Sequence, residues 1–104
     1  MELSWLKQFQ TAAILNHITR AAEQLYISQP ALSKTIHLLE EEFKVPLFDR
    51  SGKRVQLNEN GKILLKYTNR IFQDLENAHM EIDKLNQQEK NTIVLSTLAA
   101  SYLL

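Results

Sequence analysis

Residues 18 to 40, ITRAAEQLYISQPALSKTIHLLE, leave the chain little conformational choice. Pro30 has no amide to donate, so a helix tolerates it only in the first turn, where that donor would be unpaired anyway. Ser28 stands two residues before it and can accept a hydrogen bond from the free amides of the same turn. The pair predicts a helix starting at Ser28. Leu32, Ile36, Leu39 and Phe43 then recur at steps of four, three and four, a narrow apolar stripe that faces a core. The opposite stripe is Pro30, Ser33, Lys34 and His37, short or cationic side chains suited to base edges and phosphates. Such a face reads either as the solvated side of an ordinary amphipathic helix or as a surface that enters a major groove. The preceding segment favours the groove. Ala21, Ala22 and Leu25 put small residues where two helices cross closely, and only Tyr26 and Ile27 remain for the turn between them. That turn has no glycine, unlike the generic helix-turn-helix pattern.

Downstream, Phe48-Asp49-Arg50 and Val55-Gln56-Leu57 flank Ser51-Gly52-Lys53-Arg54, a polar turn in which Gly52 can take a positive φ. The pattern predicts a two-stranded wing. Phe48, Val55 and Leu57 would face the helices, leaving Arg50, Lys53 and Arg54 beside a DNA backbone or a minor groove, with A·T-rich flanks favoured. Upstream, a first helix from about Ser4 to Leu15 offers Leu6, Phe9 and Ala13 to the core, with Leu3 and Trp5 beside them. Thr19 and Arg20 fall near the start of the second helix, where free amides favour a phosphate contact.

From Asn58 the pattern changes to one long helix. Leu64, Thr68, Ile71, Leu75, Ala78, Ile82 and Leu85 alternate steps of four and three, the seam of a coiled coil. Roughly thirty residues at 1.5 Å each extend about 45 Å, too long for a domain of this size to cover. A homodimer through this helix is expected, with Leu64, Ile71, Leu75, Ala78, Ile82 and Leu85 in the interface. Two subunits would then present two recognition helices about one DNA turn apart, or a multiple of it, and select an inverted-repeat site. The alternative is a helix folded back on its own domain.

Taken in order, Phe9, Ala21-Ala22, Leu25, Ser28-Gln29-Pro30-Ala31-Leu32-Ser33, Ile36, Leu39-Glu40, Leu47-Phe48-Asp49-Arg50, Leu57 and Gly61 resemble the LysR-type transcriptional regulators. The resemblance covers about residues 1 to 90. It implies a mainly α fold, a winged helix-turn-helix of three helices and a two-stranded wing, followed by a long dimerisation helix. Departures from the family pattern are His17 for serine, Lys34 for arginine, Lys44-Val45-Pro46 where glycine is common, and Asn58 for threonine. Asn58 caps a helix as well as threonine does, whereas histidine is a poorer cap. Lys34 keeps the charge but loses the planar fork that reads guanine bidentately. Base contacts are assigned to Gln29, Pro30, Ser33 and Lys34, with His37 at the periphery.

The boundaries that follow are residues 1–58 for the DNA-binding domain, 59–88 for the linker helix and 89–104 for the start of another domain. In the tail, NTIVLSTLAASYLL, Ile93-Val94-Leu95 reads as a strand followed by the start of a helix. The resemblance makes this the beginning of an α/β effector-binding domain, so that a small-molecule effector and a tetramer belong to the longer protein. A natural short protein whose tail packs on a partner is the other reading.

Composition excludes more than it selects. A chain of 104 residues cannot hold a second full domain with its own core. It has no cysteine, so disulfides and thiolate metal sites are excluded. No apolar run reaches the length of a membrane span, and MELSWLKQ lacks a secretory leader, so a cytoplasmic protein is expected, and the resemblance implies a bacterial one. Net charge is zero, unusual for a DNA binder. Residues 1 to 58 hold seven Lys or Arg against six Asp or Glu, a modest basicity that makes dimerisation necessary for useful affinity. His17, His37 and His79 lack metal spacing. Glu40-Glu41-Glu42 point in different directions from a helix and read as a solvated helix end. No phosphate loop or nucleophile and base pair is present, so no cofactor or enzymatic activity is expected. A coiled-coil adaptor that never touches DNA is the rival from another class.

Overall fold

The computed structural model describes the backbone of residues 1–52 and 54–103 and the side chains of these up to residue 87. It divides into two units, Met1–Arg70 and Ile71–Leu104. The first is a winged helix-turn-helix: α1 (Leu3–Leu15), α2 (Ile18–Leu25), α3 (Gln29–Phe43), a hairpin of β1 (Phe48–Ser51) and β2 (Arg54–Leu57), and the beginning of α4 (Glu59–Leu103).

The three short helices enclose one core. Leu6, Phe9, Ala12 and Ala13 of α1, Ile18, Ala21 and Ala22 of α2, and Leu32, Ile36 and Leu39 of α3 are all buried. Small residues on α2 let its backbone approach its neighbours closely. Leu47, Phe48 and Val55 close the core from the wing side, where the Phe9 and Phe48 rings lie 5.5 Å apart, tilted by 58°. Thr11 and Thr35 are buried too, against their polarity. Each hydroxyl donates to the carbonyl one turn earlier, Lys7 at 2.9 Å and Ala31 at 3.2 Å, which removes the cost of burying it. Leu3 and Phe43, expected at the core, are exposed. Both sit at helix ends, where the apolar stripe runs past the neighbours that would cover it.

Helices α1, α2 and α3 end alike, with a left-handed residue that is not glycine: Asn16, Tyr26 and Lys44, at φ of 54°, 58° and 60°. The turn after α2 shows why glycine is dispensable. The Tyr26 amide donates to Glu23 and the Ile27 amide to Ala22, both at 3.1 Å, so two orphan carbonyls of the helix end are satisfied. The bonds offset the strain of a left-handed tyrosine.

The wing is antiparallel, pairing Phe48 with Leu57 and Arg50 with Val55, and Gly52 turns at φ 63°. Pairing every second residue puts Phe48, Arg50, Val55 and Leu57 on one face. The loop between α1 and α2 adds to it, because the Val55 amide donates to the Asn16 carbonyl at 3.3 Å and His17 bridges to Arg54.

Asn58 roots α4. Its Oδ1 accepts from the Gly61 amide at 2.9 Å, its Nδ2 donates to the Pro46 carbonyl at 2.8 Å, and its own amide donates to Leu47 at 3.1 Å. Gly61 is required for contact, not for conformation: a Cβ there would overlap the Leu47 carbonyl oxygen. Leu64 is half-buried and Thr68 wholly buried within the first unit, so the first two positions of the expected seam are covered by their own domain. In the second unit Ile71, Leu75, Ala78, Ile82 and Leu85 are exposed.

The strand expected at residues 93–95 is not formed; the backbone there is helical, as part of α4. A lone strand would leave both edges unpaired, whereas a helix closes its own hydrogen bonds.

Candidate nucleic-acid interface

Helix α3 presents its first two turns to solvent. The Ser28 hydroxyl accepts from the Ala31 amide at 3.2 Å, which fixes where the helix begins and therefore which side chains lead it. Gln29, Pro30, Lys34 and His37 are exposed and Ser33 is half-buried, while Leu32, Thr35, Ile36 and Leu39 hold the opposite side in the core. Gln29 Nε2 donates to Ser33 Oγ at 3.3 Å. The bond restricts the amide's rotamers and leaves Oε1 and the second amide proton free, an acceptor and a donor side by side as adenine requires. His37 Nε2 lies 3.1 Å from Glu41 Oε1. Both side chains are exposed, so the pair adds little to stability.

At the start of α2, His17 fills the cap that serine would fill. Its Nδ1 accepts from the Arg20 amide at 3.1 Å, so the expected weakness of histidine in this place is met by the ring's own lone pair. Thr19 is half-buried and Arg20 exposed beside the free amides of this turn.

On the wing, Arg54 is exposed; Lys53 lies outside the described residues. Arg50 is exposed as well, but it has a protein partner. Its guanidinium meets Glu40 Oε1 of α3 at 3.3 Å, with the Arg50 side chain 44% and the Glu40 side chain 16% accessible. The other oxygen of Glu40 accepts the Leu47 amide at 2.7 Å. Glu40 is the site residue that sequence reasoning missed, grouped there with Glu41 and Glu42 as a solvated end. Its spacing held a signal, since it stands four residues after the buried Ile36 and beside the buried Leu39, at the edge of the core stripe.

Arg20, Lys34 and Arg54 are exposed on the two helices and the wing without an ion pair to Glu40, and Arg50 is exposed but paired, together with the polar lead of α3. A helix with short polar side chains at its exposed N-terminal end and cations beside it can enter a major groove and hold the flanking phosphates.

The chain is similar to known proteins in sequence and in fold. Residues 3–62 match the family described as bacterial regulatory helix-turn-helix protein, lysR family. The uncharacterized HTH-type transcriptional regulator YybE of Bacillus subtilis (strain 168) is 39% identical over 98 residues, 94% of this chain and 34% of its own length. The HTH-type transcriptional regulator CitR of the same organism is 35% identical over 96 residues, 92% of this chain and 33% of its own. This chain therefore spans about a third of the length of these curated relatives. Among solved structures, BenM_DBD in complex with catB site 1 DNA superposes with a TM-score of 0.76 at 28% identity, covering 82% of this chain and 96% of that one. On the matched sequence and on the fold alike, the chain belongs to the lysR family of bacterial regulatory helix-turn-helix proteins.

Proposed function

We propose that this chain is the DNA-reading part of a transcriptional regulator that binds an inverted-repeat duplex site as a homodimer. The observation that carries the reading is the exposed N-terminal face of α3, polar and cationic, held out by a buried opposite face. Gln29, Pro30, Ser33 and Lys34 contact bases in the major groove, with His37 at the edge of the contact. Thr19 and Arg20 hold phosphate at the start of α2, and Arg54 with Lys53 at the wing. A fold shared with a solved DNA complex supports this docking.

The dimer rests on the exposed apolar side chains of α4, Ile71, Leu75, Ile82 and Leu85, 39% to 58% accessible and set at coiled-coil spacing. In the longer protein, residues 89–104 lead into an effector-binding α/β domain, and a tetramer forms; the relatives' threefold greater length leaves room for such a domain. Among the described residues no helix is long and apolar enough to cross a membrane.

Fluorescence anisotropy with a labelled fragment from upstream of the encoding gene, unrelated competitor DNA and a salt titration tests the reading. Competitor-resistant binding with a steep salt slope is expected. Loss of binding to competitor leaves only non-specific attraction, and no binding even at low salt favours the coiled-coil adaptor.

A further inference from the structure

A basic side chain on a wing is ordinarily counted among the phosphate contacts. Arg50 does not fit that count. It shares a wing face with Phe48 and Val55, both buried, so its stem runs toward the helices and not outward like Arg54. Its guanidinium ends 3.3 Å from Glu40 Oε1 on α3. Glu40 is itself held: its other oxygen accepts the Leu47 amide at 2.7 Å, and its side chain is only 16% accessible. One carboxylate therefore ties the recognition helix to the wing at two points, the main chain of Leu47 just before β1 and the side chain of Arg50 within it.

Resting on the DNA-binding reading above, we propose that Glu40 is a positioning residue that sets the wing against α3 and withholds Arg50 from the DNA backbone. The partly shielded carboxylate offers Arg50 a fixed partner, whereas a phosphate would require the guanidinium to leave it. The wing's electrostatic hold on DNA then falls to Arg54 and Lys53, and Glu40 limits the attraction for unrelated duplex.

The test is the salt dependence of binding to a labelled mixed-sequence duplex of about three helical turns, which needs no known operator. Each phosphate contact contributes about 0.9 to the slope of log K against log salt, about a threefold change in affinity between 50 and 200 mM. Arg50→Gln is expected to leave the slope unchanged. Glu40→Gln keeps an acceptor for the Leu47 amide but turns an amide donor toward Arg50, so the released guanidinium is expected to steepen the slope by about one phosphate contact per subunit. In the double variant Glu40→Gln/Arg50→Gln that gain is expected to vanish.

A fall of the slope by about one contact per subunit in Arg50→Gln would show that Arg50 already holds phosphate and would overturn the proposal. So would an unchanged slope in Glu40→Gln, or a gain that persists in the double variant, which would reduce Glu40 to a nearby negative charge. Should Glu40→Gln not fold, the Arg50→Gln arm still decides, since that side chain is half accessible and Glu40 keeps the Leu47 amide as a partner when it is replaced. Failure of the DNA reading is seen separately, as wild-type protein without salt-dependent duplex binding.

Discussion

Helices α3 and α4 carry nearly the same apolar rhythm and meet opposite fates. In α3, Leu32, Ile36 and Leu39 are wholly buried; in α4, Ile71, Leu75, Ile82 and Leu85 lie on the surface. Steps of three and four say that a stripe needs cover, and not where the cover comes from. The first stripe is closed by its own chain; the second lies open, and in the proposed dimer another copy covers it. Between them, Leu64 and Thr68 mark the transition within one helix: the rhythm is unbroken, yet Leu64 is half-buried and Thr68 wholly buried within the first unit.

The sharpest way to break this contrast is to truncate one side chain from each stripe. Ile36→Ala is expected to cost about 2 to 5 kcal/mol in urea unfolding, whatever the protein concentration, because the cavity lies inside one chain. Leu75→Ala is expected to weaken self-association in sedimentation equilibrium, and its cost in thermal unfolding to change with concentration. Equal, concentration-independent losses would mean that α4 is covered within its own chain. Next in size is Gly61→Ala, expected to destabilise by about 1 to 3 kcal/mol, since the new methyl group meets the Leu47 backbone, which cannot swing away as a side chain could. A neutral result would show that the root of α4 yields easily.

Thr68→Val sharpens the comparison at the point where the stripe passes from buried to exposed. The Thr68 hydroxyl is buried with no protein hydrogen-bond partner, and valine keeps the shape while removing the unmet group. A gain of about 1 kcal/mol is expected from chemical denaturation; a loss would reveal a bound water serving the hydroxyl. The smallest expected effect is from Tyr26→Gly. Tyr26 is 96% exposed and left-handed at φ 58°, so glycine relieves strain at no packing cost and should raise stability by a few tenths to about 1 kcal/mol. If Tyr26→Gly lowers DNA affinity while raising stability, the ring has a role at the interface beyond the turn.

Local signals in the chain carried the three helices, the Ser28 start, the wing and the polar lead of α3, because a cap, a proline or a period of 3.6 acts over a few residues. What escaped depends on distance. Glu40 finds its partners seven and ten residues away, across a change from helix to strand, and nothing near Glu40 announces Leu47 or Arg50. Thr11 and Thr35 escaped because polarity suggests exposure, although a hydroxyl bonded to its own helix can be buried at small cost. Leu3 and Phe43 were misplaced for the reverse reason: apolar periodicity continues to the last residue of a helix, but the neighbours do not. At residues 93–95 β-branched composition suggested a strand, and β propensity counts for little without a neighbouring strand to pair with.

One rung of the wing bears on how the molecule breathes. A free two-stranded hairpin is marginal in water and opens readily. Here the Val55 amide is bonded to Asn16, in the corner between α1 and α2, and the side chain is buried. The ribbon is thereby enrolled in the same cooperative folding unit as the helices, and deuterium should reach Val55 only when the whole domain opens. A wing of this kind arrives at DNA already set, with little ordering entropy left to lose on contact.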